Sequence, residues 1–132
     1  MDIQSVYRRN MAFLRVKLGD GKPSTFSFLA MHGKSETRQK YFPYAIEGID
    51  IICTGHTHTG KITKPSKLVF TQRGKVVMQD MAHIVGTSWL DYSKGGYAAT
   101  SQLMPQATGD PACIVLEHDT SHDRNKSFHI EW

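Results

Sequence analysis

One short run constrains this chain more than any other. Ile49-Asp50-Ile51-Ile52-Cys53-Thr54 is apolar or β-forming almost throughout, and it leads straight into Gly55-His56-Thr57-His58. A brief apolar run with a glycine at its end reads as a buried strand that turns at the edge of a sheet. Such a strand delivers two imidazoles, one residue apart, to that edge. In an extended His-x-His both rings point to the same side, because side chains alternate along a strand. Two neutral imidazoles aimed at one point suit a divalent transition metal such as zinc, manganese or iron. Gly55 is expected to supply the permissive backbone for the turn.

A second histidine has a similar setting. Phe26-Ser27-Phe28-Leu29-Ala30-Met31 leads into His32-Gly33. Between the two blocks there is room for a helix. Ser35-Glu36-Thr37-Arg38 suits a helix start with an acidic first turn. Tyr41, Tyr44, Ala45 and Ile46 form the expected buried face, Pro43 interrupts the run, and Gly48 ends it.

The two histidine blocks resemble those of the calcineurin-like metallophosphoesterases. Gly55-His56-Thr57-His58 is similar to that family's last signature, Gly-His-x-His, and His32 to the lone histidine on the preceding strand. Val85-Gly86-Thr87-Ser88-Trp89-Leu90 and Gly95-Gly96-Tyr97-Ala98 look like the segment after the metal loop in bacterial and phage members. The resemblance runs over roughly residues 11–117. The family opens with Asp-x-His, a Gly-Asp block and Gly-Asn-His. This chain contains neither Asp-x-His nor Gly-Asn-His, and Gly19-Asp20 and Gly109-Asp110 sit in turn-like surroundings.

The resemblance therefore implies the C-terminal half of a four-layer α-β-β-α sandwich. The expected fold class is α/β, with a mixed sheet and a β-rich C-terminal segment, in one partial domain over residues 1–132. It implies metal-dependent hydrolysis of phosphate mono- or diesters by a metal-bound hydroxide at a di-metal site. His32 and His56 would share one metal (manganese, zinc or iron), and His58 would lean towards the other. The acidic and asparagine ligands would come from another segment or chain.

Charge adds a substrate site to this reading. The chain carries +4 with a pI near 9.1. Lys61, Lys64 and Lys67 follow the histidine loop at once, so Lys61 and Lys64 are the candidate phosphate-binding residues. A function of a different class stays open: a non-catalytic, oligomeric binding module that holds nucleic acid or a protein partner through its basic face. Manganese-dependent phosphatase activity separates the two.

At 132 residues, with 39% hydrophobic content, the chain is long enough for a real core. No apolar stretch approaches the roughly 18 residues of a membrane span, and the N-terminus has no signal-peptide pattern, so the expectation is cytoplasmic. Cys53 and Cys113 lie in apolar runs and read as buried free thiols. His83 reads as an ordinary loop or core histidine. His118, His122 and His129 read as part of a solvated hairpin loop, and Trp89, Tyr92 and Tyr97 as core packing.

The remaining elements follow from local pattern. Residues 1–10 read as a helical remnant or linker. Strands are expected over 12–18, 25–31, 49–54, 68–71, 75–79, 86–90, 112–117 and 127–132, the first two as a hairpin. In a half sandwich, the inward residues of the first three strands would lie bare: Phe13 or Leu14, Phe26 or Phe28, Ile51 or Ile52. Self-association or a separately encoded N-terminal half would cover them.

Overall fold

The computed structural model describes residues 1–20, 23–34, 38, 40–56, 60–86, 112–118 and 126–131. Its centre is a mixed six-stranded sheet. β1 (Asp2–Arg8), β2 (Met11–Leu18) and β3 (Ser24–Met31) form an antiparallel meander. β3 then pairs in parallel with β4 (Ile51–Thr54). β5 (Lys61–Thr63) leads into an antiparallel ribbon of β6 (Ser66–Phe70) and β7 (Val76–Asp80). The chain returns as β8 (Ala82–Val85), which lies parallel to β4 and antiparallel to β5. The sheet order is β1-β2-β3-β4-β8-β5. β9 (Cys113–His118) and β10 (Lys126–Glu131) make a separate antiparallel pair.

The mixed sheet and the β-rich C-terminal segment agree with the sequence reading. Helix does not reach the extent that reading gave it. Among the described residues the helix with assigned bounds is the single turn α1 (Phe42–Ala45). Pro43 occupies its first turn, where a missing amide costs nothing. The expected helix start at residues 35–37 lies outside the described residues. The buried face agrees at Ile46, which packs on the core, and differs elsewhere: Tyr41 and Ala45 are exposed, and Phe42 packs on the core with Ile46. These two are four residues apart, one helical turn.

Two other assignments are corrected. Residues 1–10 are neither helix nor linker: Asp2 to Arg8 pairs along its whole length with β2. Its alternation is hidden because every residue of β1 is exposed. The strand placed at 86–90 does not begin at Gly86; residues 87–90 lie outside the described residues, and the strand before them is Ala82–Val85. All four residues of β8, including His83, are buried.

Both faces of the central strands are covered. On one face Ile51, Ala82 and Ile84 pack with Ile130, and Phe28, Ile62, Ile114, Leu116 and Phe128 surround them. The β9–β10 hairpin is thus the lid of that face. On the other face Leu29, Ile49 and Ile52 pack with Phe13, Phe42 and Ile46. Each large aliphatic chain buried this way contributes roughly 1.5–3 kcal/mol. Continuous burial of Ile51 and Ile52 is what a parallel strand covered on both sides requires. The expectation of bare inner residues is therefore corrected. Phe26, Ile51 and Ile52 are buried, and Phe13, Leu14 and Phe28 are half-buried. The C-terminal hairpin folds back and does what a second sheet would do.

The thiols also depart from expectation. Both cysteines are free. Cys53 is half-buried, and burial pushes its thiol above the ordinary value. Cys113 is exposed, because the neighbouring Ile114 takes the inward position on β9. Among the described residues, no helix is long and apolar enough to cross a membrane.

Candidate metal centre

Parallel pairing of β3 and β4 brings their C-terminal ends to one edge of the sheet. The ladder continues one step past the strands. The Gly55 amide donates to the His32 carbonyl at 2.9 Å, and the Gly86 amide to the Thr54 carbonyl at 2.8 Å. This fixes the backbone at His32 beside the backbone at Gly55, so the next residue, His56, emerges against the His32 ring.

The two imidazoles meet edge to face. His32 Nε2 and His56 Nδ1 are 3.0 Å apart, with ring centroids 5.0 Å apart and planes at 83°. In the free protein one of these nitrogens carries a proton and donates it to the other. The same spacing suits shared ligation. Two nitrogens, each about 2.0–2.1 Å from one tetrahedral zinc, stand roughly 3.3 Å apart. Both residues are solvent-exposed, so an ion would reach them directly.

The turn is made differently from the sequence expectation. Gly55 is not in the left-handed region; His56 is, with φ 67°. A non-glycine residue held there costs of order 1 kcal/mol or more, and such residues cluster at functional sites. A Cβ at Gly55 would meet the His32 carbonyl oxygen at 3.8 Å, an ordinary contact. The strain is carried by the histidine, which aims its ring at His32.

The other site residues are distributed as follows. His58 lies outside the described residues. Lys61 pairs with Val85, which in turn pairs with Thr54, so Lys61 sits on the same sheet edge as His32 and His56. Lys64 does not: β5 runs antiparallel to β4, and the chain has left that edge by Thr63. Among the described residues, no three His, Cys, Asp or Glu side chains gather as a metal-binding group. His122, Trp89, Tyr92 and Tyr97 lie outside the described residues. His129 is an exposed position on β10, not part of a loop.

Sequence reasoning read His83 as an ordinary loop or core histidine. It is a core histidine: its Nε2 is 2.9 Å from the Thr54 hydroxyl, inside the sheet. Burial, and then the charge of Lys61, lower its pKa from 6.5. Ala82-His83-Ile84-Val85 carried the signal, as a short apolar run with one polar member. Asp50 works at the opposite end of β4. Its amide donates to the Ser27 carbonyl and its Oδ2 accepts from the Ser27 amide, both at 2.9 Å, which pins β3 to β4. A cleft of about 690 Å³ opens there, lined by Asp50, Arg15, Lys67 and Gln79 among others, away from the histidine edge.

No protein-family model matches the chain, and no curated protein and no solved structure shows significant similarity to it.

Proposed function

We propose that this chain carries the C-terminal histidine ligands of a calcineurin-like metallophosphoesterase site. In this reading His32 and His56 ligate one divalent ion, manganese, zinc or iron. His58 serves a second ion. The observation that carries the reading is the 3.0 Å approach of His32 Nε2 to His56 Nδ1 at the C-terminal edge of two parallel strands. The C-terminal edge is where open α/β sheets place their ligands.

A divalent ion held there by His32 and His56 would lower the pKa of a bound water and neutralise phosphate oxygens. The chain's own residues do the rest. His32 and His56, both exposed, hold Nε2 and Nδ1 3.0 Å apart at the sheet edge. Lys61, on the same edge, attracts the phosphate group of a mono- or diester. Thr54, held by His83, fixes the last residue of β4 before the loop. The carboxylate and asparagine ligands come from another segment or chain.

Calorimetric titration with manganese or zinc tests this directly. The chain alone should bind weakly and hydrolyse a chromogenic phosphoester negligibly. His32→Ala and His56→Ala should each abolish the binding. Unchanged binding in both variants would sink the site. Brisk hydrolysis lost in His56→Ala would mean that the chain completes its own ligand set.

A further inference from the structure

The six-stranded sheet has two edges, and they are not alike. β5 closes one with three residues. Among the described residues β1 forms the other with seven, Asp2 to Arg8, all exposed. Its register with β2 runs unbroken from Asp2↔Lys17 to Arg8↔Met11, with no bulge. Proteins blunt such edges with proline, lysine, bulges or short strands, because a bare edge offers a row of unpaired backbone groups to any other strand. β1 has no proline, no lysine and no bulge, and it is regular over its whole length.

The sequence of β1 is complementary to itself. We propose that β1 pairs antiparallel with β1 of a second copy of this chain, about a two-fold axis at Ser5. In that register Asp2 lies opposite Arg8 of the second copy, Ile3 opposite Tyr7, Gln4 opposite Val6, and Ser5 opposite Ser5. The two-fold axis repeats each unlike pair, giving two opposite-charge pairs at the ends and two apolar pairs inside them. A two-fold interface has this reciprocal form. Opposite charges and aromatic–β-branched pairs directly across a ladder are stabilising. Ile3 and Tyr7 are both exposed in the single chain and lie on the face that carries Val16 and Phe26. Pairing therefore extends that face across both copies and joins two six-stranded sheets into one.

The register is specific. An axis perpendicular to the sheet keeps paired residues on the same face, so it passes through a residue of β1. Centring it on Gln4 sets Asp2 against Val6. Centring it on Val6 sets Arg8 against Gln4. Either shift loses both charge pairs.

Sedimentation velocity of the full chain over a concentration series tests the proposal. The expected result is a monomer–dimer equilibrium, the dimer at twice 14.9 kDa. Asp2→Arg and Arg8→Asp should each shift the chain to monomer, and the double exchange should restore the dimer. In a Cys113→Ser background, Ser5→Cys should give a disulfide-linked dimer under mild oxidation. A chain that stays monomeric at every concentration overturns the proposal. So does a dimer that ignores the charge exchanges, since that dimer uses another surface. The readout is mass, not metal binding, so its failure leaves the phosphoesterase reading standing.

Discussion

In β4, Ile51 and Ile52 are 0% and 2% exposed, whereas in β6, Leu68 and Phe70 are 70% and 77% exposed. The residues are of one kind and the strands of nearly one length. The surroundings decide the difference. β4 lies between β3 and β8, under the β9–β10 hairpin on one face and under Phe42 and Ile46 on the other. Among the described residues the β6–β7 ribbon has two strands, and one of its faces meets the body of the protein. Gln79 on that inner face is buried and donates to the Ile49 carbonyl at 3.5 Å. The outer face pairs Leu68 with Met78 and Phe70 with Val76, all four exposed. Apolar character makes a strand; it does not say which strand is buried.

The largest test of this contrast is a pair of truncations. Ile51→Ala should cost about 2–5 kcal/mol, through lost transfer energy and a cavity in the core. Phe70→Ala should change stability by no more than about 0.5 kcal/mol, as for an exposed side chain. Urea unfolding of both variants gives the two numbers. A cost at Phe70 equal to that at Ile51 would show that the ribbon's outer face is covered in solution.

A smaller effect comes from the buried Thr54–His83 pair. Thr54→Val removes the hydroxyl partner of buried His83 and should cost about 1–3 kcal/mol. His83 also makes stability depend on pH. Its folded pKa lies below 6.5 because burial, then Lys61, disfavours the charged ring. The unfolded chain therefore binds more protons in that window, and stability rises with pH there. The contribution is complete above about 6.5 and is lost as pH falls below it towards the folded value. Urea midpoints across this range should decline in the wild type. In His83→Gln that part of the slope should vanish; an identical slope in both would mean that His83 is not its source.

The smallest effect separates stability from function at the sheet edge. His56→Gly relieves a left-handed backbone at φ 67° and should leave stability unchanged or raise it by up to about 1 kcal/mol. On the proposed metal-site reading, the same change should abolish metal binding. A variant clearly less stable than the wild type would show that the His32–His56 contact holds the fold.

Local pattern determined a good part of this molecule. The hairpins β2–β3, β6–β7 and β9–β10 follow from alternation bounded by turn residues, and the pairing of neighbours in sequence needs no distant information. The same pattern placed His32 and His56 at the ends of two strands. Contacts between distant residues decided the rest. β8 enters between β4 and β5, so a four-residue run containing a histidine becomes a central strand. β1 becomes a strand only by lying against β2, since none of its residues is buried to leave a periodic trace. The 3.0 Å approach of His32 to His56 needs the parallel register of β3 and β4 and a left-handed residue at position 56. Sequence periodicity records how much of a strand faces apolar surroundings. It does not record which strand supplies them, because that energy belongs to pairs far apart in the chain.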